Sequence, residues 1–153
     1  EQILNVKSQM DSGMFKPLQM AAVKALEQGP EWFAALNEEY RRRKVLAGEI
    51  FDLLGAEYDH DSEGMFLWGR VDSTSLYRDN SRLPYGEGSI SAGQTVSDKI
   101  LNEAGVFITP GFIFGKNGED YIRISLCAKP EVLKKAAERI RSVIPSEVEG
   151  SAR

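Results

Sequence analysis

The longest periodic segment of the sequence runs from residue 30 to residue 54 and constrains the fold more than any other feature. Pro30 suits the first turn of a helix, where its missing N–H costs nothing, and Gly55 suits the left-handed residue that often ends one. A helix of about 25 residues is predicted, long enough to join two parts of a larger structure. Its apolar residues fall mostly three or four positions apart, as one helical stripe does: Phe33, Leu36, Tyr40, Ala47, Phe51 and Leu54.

Three segments after this helix have the composition of β-strands. Residues 64–71, GMFLWGRV, are largely apolar on both faces, which predicts an interior strand. Residues 106–109 predict a second strand, broken by Pro110 and Gly111. Residues 121–127, YIRISLC, alternate strictly between apolar and other side chains and predict a third strand.

Further helices are predicted around these strands. One covers residues 17–28, and one starts at a capping box formed by Thr95 and Asp98 and ends at Gly105. The last begins at Pro130 and carries an apolar stripe as far as Val143. The order predicts an α+β fold, with a small, mostly antiparallel three-stranded sheet, helices packed on one face of it, and the long inter-domain helix before it.

Two segments show no pattern of regular structure. Residues 72–93 are polar and rich in turn-forming residues, so a long mobile loop is predicted. Residues 145–153, PSEVEGSAR, are interpreted as a disordered tail. The chain begins with Glu1 inside a helical pattern, so further residues are expected upstream.

Composition argues against several classes of protein. The formal net charge of −4 is unlike the basic face of a nucleic-acid binder. With one cysteine, Cys127, and one histidine, His60, neither an internal disulfide nor a Cys/His metal site is expected. No apolar run approaches the roughly 20 residues of a membrane span, and a reducing cytoplasmic location is the default expectation.

Arg123 is the candidate binding residue with the clearest argument behind it. In the strand YIRISLC, Ile122, Ile124 and Leu126 share one face, so Arg123 projects from the other face. A guanidinium on a stiff strand presents a planar pair of donors suited to a carboxylate. The alternative from the pattern alone is an ordinary exposed arginine.

Several segments in order resemble the C-terminal part of class I/II aminotransferases, which depend on pyridoxal phosphate. YIRISLC, with the proline-started helix containing LKKAAERI, resembles the end of that family, and VFITPGFIFG, residues 106–115, resembles the segment before it. Upstream, NVKSQMDSGMFKPLQMAAVKAL resembles the stretch after the family's cofactor-lysine region. The long helix resembles the element that links the family's two domains, and the resemblance covers about residues 1–143.

This resemblance implies a role for several residues. Arg123 would hold the substrate's α-carboxylate, and the loop containing Ser12 and Gly13 would lie near the cleft, although a plain helix break is the alternative for that loop. The substrates would be an amino acid and a 2-oxo acid, and the full-length protein would be a homodimer. Phe112 and Phe114 are interpreted as core residues, with closure of the pocket as the alternative.

The sequence also departs from the family. The serine–lysine segment that holds the cofactor, followed by a glycine–x–arginine turn, is not found, and neither Lys7 nor Lys16 is assigned its role. Residues 1–29 are therefore interpreted as the remnant after a cofactor-binding large domain, and residues 30–144 as the linking helix and small domain. The chain alone is expected to be inactive. The competing hypothesis is a non-catalytic α+β module that binds a carboxylate metabolite or a protein.

Overall fold

The computed structural model describes residues 1–10, 13–72 and 91–144 and has the α+β architecture that the sequence predicts. No helix in these ranges is long and apolar enough to cross a membrane. Two short 3₁₀ helices, Gly111–Phe114 and Lys116–Gly118, precede the last strand. The other elements of the described ranges are α1 (Gln2–Met10), α2 (Lys16–Leu26), α3 (Pro30–Leu53), β1 (Glu57–Tyr58), β2 (Phe66–Arg70), α4 (Ala92–Ala104), β3 (Thr109–Pro110), β4 (Tyr121–Ser125) and α5 (Pro130–Val143).

The chain divides into two compact units, Glu1–Glu38 and Glu39–Arg153. The first contains α1, α2 and the beginning of α3. Neither α1 nor α2 has a buried residue. Large apolar side chains are therefore exposed on this unit, among them Ile3, Val6, Phe15 and Leu26.

The long helix α3 has the bounds that its end signals predict. Pro30 is its first residue, and Gly55 follows its end with a φ of 64°. The Ala56 N–H donates to the Phe51 carbonyl (2.9 Å) and the Gly55 N–H donates to the Asp52 carbonyl (3.1 Å). These two bonds form a Schellman motif, in which a left-handed residue turns the chain back onto the last helical turn.

The second unit is built on a four-stranded antiparallel sheet in the order β1-β2-β4-β3. β2 lies between β1 and β4, which confirms it as an interior strand. β1 is an addition to the predicted three strands, and its two residues are too few to show an alternating pattern. In the register, Arg123 of β4 is paired with Trp68 of β2 on one side and with Thr109 of β3 on the other.

The second predicted strand was wrong in extent. The prediction covered residues 106–109, whereas β3 consists of Thr109 and Pro110. The carbonyl of Ile108, in the predicted strand, accepts a hydrogen bond from the buried Ser97 hydroxyl of α4. Pro110 has no N–H to donate, which suits it to the edge of a sheet.

The start of α4 also corrects the sequence prediction. Ser91, rather than Thr95, is the N-cap, and its hydroxyl accepts a bond from the Gln94 N–H. Residues 91–93 therefore do not belong to the predicted loop 72–93, and residues 73–90 of that prediction lie outside the described residues, as does the predicted tail 145–153. The predicted end at Gly105 is confirmed, because this residue has a φ of 64° and its N–H donates to the Leu101 carbonyl.

Helices cover one face of the sheet, as predicted. The second half of α3 packs with α4 and α5 over this face. Among the described residues of this unit, no α-helix of the core packs on the other face of the sheet, which is called the open sheet face below. It contains the exposed or half-buried side chains of Phe66, Trp68, Tyr121, Arg123 and Ser125. The core includes Phe51, Leu54, Leu67, Val96, Ile100, Ile122, Ile124, Leu133 and Ile140.

Candidate substrate-binding site

Arg123 lies in the middle of the open sheet face. Residues that pair directly across antiparallel strands project to the same face, so Trp68, Arg123 and Thr109 form a row across β2, β4 and β3. Ile122 and Ile124 are buried on the helix-covered face, which agrees with the alternation in the sequence. Strands on both sides fix the backbone from which Arg123 projects.

The guanidinium of Arg123 lies over two phenylalanine rings. Its Cζ atom is 4.3 Å from the centre of the Phe66 ring and 4.2 Å from the centre of the Phe114 ring. These distances are within the range in which a cation is attracted to the electron-rich face of an aromatic ring. Arginine is well suited to such contacts because its head group is planar and weakly hydrated.

Two more aromatic side chains extend this arrangement. The centre of the Trp68 ring lies 5.2 Å from the centre of the Phe114 ring, at an interplanar angle of 72°. It lies 6.4 Å from the centre of the Tyr121 ring, at an interplanar angle of 71°. Both are edge-to-face arrangements, which are favourable for aromatic pairs. Phe66, Trp68, Phe114 and Tyr121 are called the aromatic cluster below, and it gives Arg123 a largely apolar surrounding.

Arg123 keeps hydrogen-bonding capacity that the described residues do not use. Its Nε atom is buried and has no hydrogen-bond partner there. No ion pair or hydrogen bond connects its head group to another described residue, and its two cation–π interactions are with the Phe66 and Phe114 rings. Leaving a buried donor unpaired costs about 1–3 kcal/mol, and more for a charged group, so such a donor points to a ligand. A carboxylate has the matching charge and geometry.

The turn after β3 places Phe114 near Arg123. A Cβ atom at Gly111 would overlap the carbonyl oxygen of Gly118, and a Cβ at Gly118 would overlap the carbonyl oxygen of Gly111. Gly115 follows Phe114 with a φ of 121°, which other residues rarely adopt. The three glycines therefore permit the tight double turn on which Phe114 is carried.

The other predicted site residues are not brought to Arg123 by any described contact. Ser12 lies outside the described residues, and Gly13 is an exposed residue of the first unit with a φ of 106°. Their predicted place near the cleft stays a prediction. Lys7 and Lys16 are exposed in the first unit. Within the described ranges, no three His, Cys, Asp or Glu side chains are grouped to hold a metal ion.

The aromatic part of the site was not predicted from the sequence. Phe112 and Phe114 were interpreted as core residues, which is wrong because 39% and 49% of them are exposed. Phe66 and Trp68 were treated as one apolar face of an interior strand, yet they are 37% and 39% exposed. The spacing of two residues between Phe66 and Trp68 places both side chains on one face of the strand. The pairing of that strand with the one that carries Arg123 is not visible in the sequence.

The comparisons with known proteins agree with this architecture. A model of the family "Aminotransferase class I and II" matches residues 1–140. The LL-diaminopimelate aminotransferase of Natranaerobius thermophilus is 33% identical over 134 residues, which cover 88% of this chain and 31% of that protein.

Solved structures show the same similarity. A structure of BacF from Bacillus subtilis in the apo form has a TM-score of 0.68 and 27% identity, covering 92% of this chain and 34% of that one. An aromatic aminotransferase from Pyrococcus horikoshii has a TM-score of 0.60 and 31% identity, covering 82% and 30%. The chain thus spans about a third of the length of these relatives. It belongs to the class I and II aminotransferase family.

Membership in this family implies pyridoxal phosphate as the cofactor. Arg123 and the two rings around it present a cationic donor to an anionic group. No described hydrogen bond, ion pair or ring contact brings a lysine to the aromatic cluster, so these residues provide no amine for attachment. The chemistry that they support is the binding and orientation of an anion.

Proposed function

We propose that this chain forms the substrate-carboxylate-binding portion of a pyridoxal-phosphate-dependent aminotransferase, which transfers an amino group between an amino acid and a 2-oxo acid. The observation that carries the proposal is Arg123, whose buried Nε has no partner among the described residues and whose head group lies on the open sheet face. Family membership supplies the reaction class.

Arg123 acts by binding and orientation. Amino acids and 2-oxo acids both carry a carboxylate next to the reacting carbon, so one guanidinium serves both substrates. Two parallel N–H···O bonds fix the plane of the carboxylate and so restrict rotation of the reacting carbon. Pyridoxal phosphate, held mainly by residues outside this chain, supplies the electron sink for the bond broken at that carbon.

The proposal leaves the substrate side chain open. The names of the relatives indicate a diamino dicarboxylic acid in one case and aromatic amino acids in another. Both kinds of substrate share the α-carboxylate that Arg123 would hold. The proposal includes that the complete enzyme is a cytoplasmic homodimer. Sedimentation equilibrium of the complete protein tests whether it is a dimer.

The test is Arg123→Lys in the complete aminotransferase. Lysine keeps the charge but loses the planar two-point contact. Loss of such a contact costs on the order of 2–4 kcal/mol of transition-state binding, so kcat/KM is expected to fall about 30- to 1000-fold. The fall should appear with both LL-diaminopimelate and L-phenylalanine, whichever is the better donor, because both carry the carboxylate.

The matched control is Arg141→Lys, at an exposed position of α5. It should leave kcat/KM within about twofold of the unaltered enzyme, since surface substitutions have small effects. Unaltered kcat/KM in Arg123→Lys would show that Arg123 does not hold the substrate. If the unaltered protein turned over neither donor nor any other amino acid, a non-catalytic carboxylate-binding module would be the better interpretation.

A further inference from the structure

We propose that Phe66 and Phe114 are positioning residues that hold the Arg123 guanidinium ready for a carboxylate. The inference rests on the proposed function and goes beyond it, because it assigns a role to two side chains that do not themselves react. The pair of rings is called the aromatic clamp below.

The contacts of Arg123 are the first argument. Its Cζ atom lies at nearly equal distances from the two ring centres, 4.3 Å for Phe66 and 4.2 Å for Phe114. No hydrogen bond or ion pair to another described residue fixes the head group. Within the described chain, the two rings are therefore the contacts that restrain a side chain which otherwise has large rotational freedom.

The chemistry of the restraint is the second argument. An aspartate or glutamate could also hold the guanidinium, but it would occupy the N–H groups and compete with the substrate's carboxylate. An aromatic ring attracts the cation through its face and leaves the N–H donors, which lie in the plane of the guanidinium, available to a ligand. The clamp thus restrains Arg123 without using the atoms that bind substrate.

The placement of the rings is the third argument. Phe66 is carried by β2, directly paired with Ser125 of β4, so its backbone is fixed relative to that of Arg123. Phe114 is carried by the double turn in which Gly111 and Gly118 touch, and the Trp68 ring packs against it edge to face. Both rings are more than a third exposed, so they add little to the buried core.

Removal of a ring should weaken the binding of the carboxylate. The freed guanidinium must then be ordered when the ligand binds, and ordering a long side chain weakens binding by about 3- to 10-fold. KM is expected to rise by that factor in Phe66→Leu and in Phe114→Leu of the complete enzyme, while kcat changes less than twofold. The inhibition constant of acetate should rise equally, because acetate consists of little more than the carboxylate.

Acetate separates this role from that of a pocket wall. If the rings only contacted the substrate's side chain, the Leu variants would change the preference between L-alanine and L-phenylalanine and leave acetate inhibition unaltered. Phe66→Tyr and Phe114→Tyr keep an aromatic face and should restore wild-type values. Phe107→Leu is the matched control, since Phe107 is 64% exposed and has no ring contact with Arg123 in the described structure.

A second measurement does not depend on catalysis. In the ¹⁵N-labelled 153-residue chain, the Arg123 Nε–H resonance should be shifted by the ring currents and should exchange slowly with water, because the Nε atom is buried. Both properties should be lost in the Leu variants and kept in the Tyr variants. Where a Leu variant does not fold, the corresponding Met variant replaces it, since methionine fills space without an aromatic face.

The outcomes distinguish this inference from the proposed function. A solvent-like Nε–H resonance in the unaltered chain, or unchanged acetate inhibition in both Leu variants, overturns the clamp. If Arg123→Lys is impaired while the Leu variants match Phe107→Leu, the inference fails and the proposed function stands. If the complete protein transaminates no amino acid but the resonance behaves as expected, the proposed function fails and the restraint on Arg123 stands.

Discussion

Gly93 shows how one missing side chain sets the distance between a helix and the sheet. Gly93 lies at the beginning of α4. Its N–H donates a hydrogen bond (2.9 Å) to the carbonyl of Glu119, which lies just before β4. A Cβ atom at this position would overlap the carbonyl oxygen of Tyr121, and it would lie 2.9 Å from that of Glu119. Backbone atoms cannot turn aside as a flexible side chain can, so the helix would have to move away from the strand that carries Arg123.

Gly93→Ala is therefore expected to destabilise the second unit by about 1–3 kcal/mol, the usual cost of overpacking. Urea denaturation followed by circular dichroism measures this cost. Gly48→Ala in α3 is the control, because the nearest atoms to the added Cβ belong to the Tyr58 side chain, with its hydroxyl oxygen nearest, and not to the backbone. Alanine is favoured over glycine in a helix interior by about 0.5–1 kcal/mol, and this gain offsets part of the cost of the contact with Tyr58. Equal effects of the two variants would contradict the explanation.

At the scale of the element, α4 begins at a side-chain cap four residues before the one predicted from the sequence. The Ser91 hydroxyl accepts from the Gln94 N–H (3.3 Å), whereas the Thr95 hydroxyl is already inside the helix and donates to the Ser91 carbonyl (3.1 Å). Both residues are good N-caps by type, and each is followed three positions later by a polar residue that can complete a capping box, Gln94 after Ser91 and Asp98 after Thr95. With the earlier start, the N–H of Gly93 in the first turn also has an acceptor, the Glu119 carbonyl.

Ser91→Ala should lower the free energy of unfolding by about 0.5–2 kcal/mol, because one N-terminal N–H loses its acceptor. Ser91→Asp should retain most of the stability, since aspartate caps as well as serine and its charge suits the helix N-terminus. Thermal unfolding monitored by circular dichroism compares the two. A loss in Ser91→Asp as large as that in Ser91→Ala would argue against Ser91 as the cap.

At the scale of the whole molecule, catalysis by an aminotransferase needs an amine to hold the cofactor as well as a site for the substrate's carboxylate. The 153 residues contain no serine–lysine segment followed by a glycine–x–arginine turn. The chain also spans about a third of the length of its relatives. Under the proposed function, Arg123 and the aromatic clamp serve substrate binding, and the amine is expected from other residues.

The 153-residue chain by itself is expected to show no transaminase activity. Incubation with pyridoxal phosphate, an amino acid and 2-oxoglutarate tests turnover, and borohydride reduction followed by peptide mapping tests attachment of the cofactor. The complete enzyme, assayed in parallel, is the positive control. Turnover by the chain alone, or specific labelling of one residue such as Lys7, would contradict this expectation.

The sequence by itself determined the elements whose signals are local. Pro30 and Gly55 mark the ends of α3. Within a helix, proline is tolerated in the first turn, and glycine readily adopts the left-handed conformation that ends a helix. The strict alternation in YIRISLC placed Arg123 opposite Ile122 and Ile124, since successive side chains of a strand project to opposite faces. Both deductions depend on backbone geometry within a few residues.

Tertiary structure alone decided which groups meet Arg123. Phe66 and Phe114 lie in different elements, and only the pairing of β2 with β4 and the double turn after β3 bring them to the guanidinium. The same holds for β1, whose two residues form a strand only because β2 offers an edge to pair with. β2 and β4 are far apart in the sequence, so no hairpin turn sets their register, and it depends on which side chains are buried together on one face.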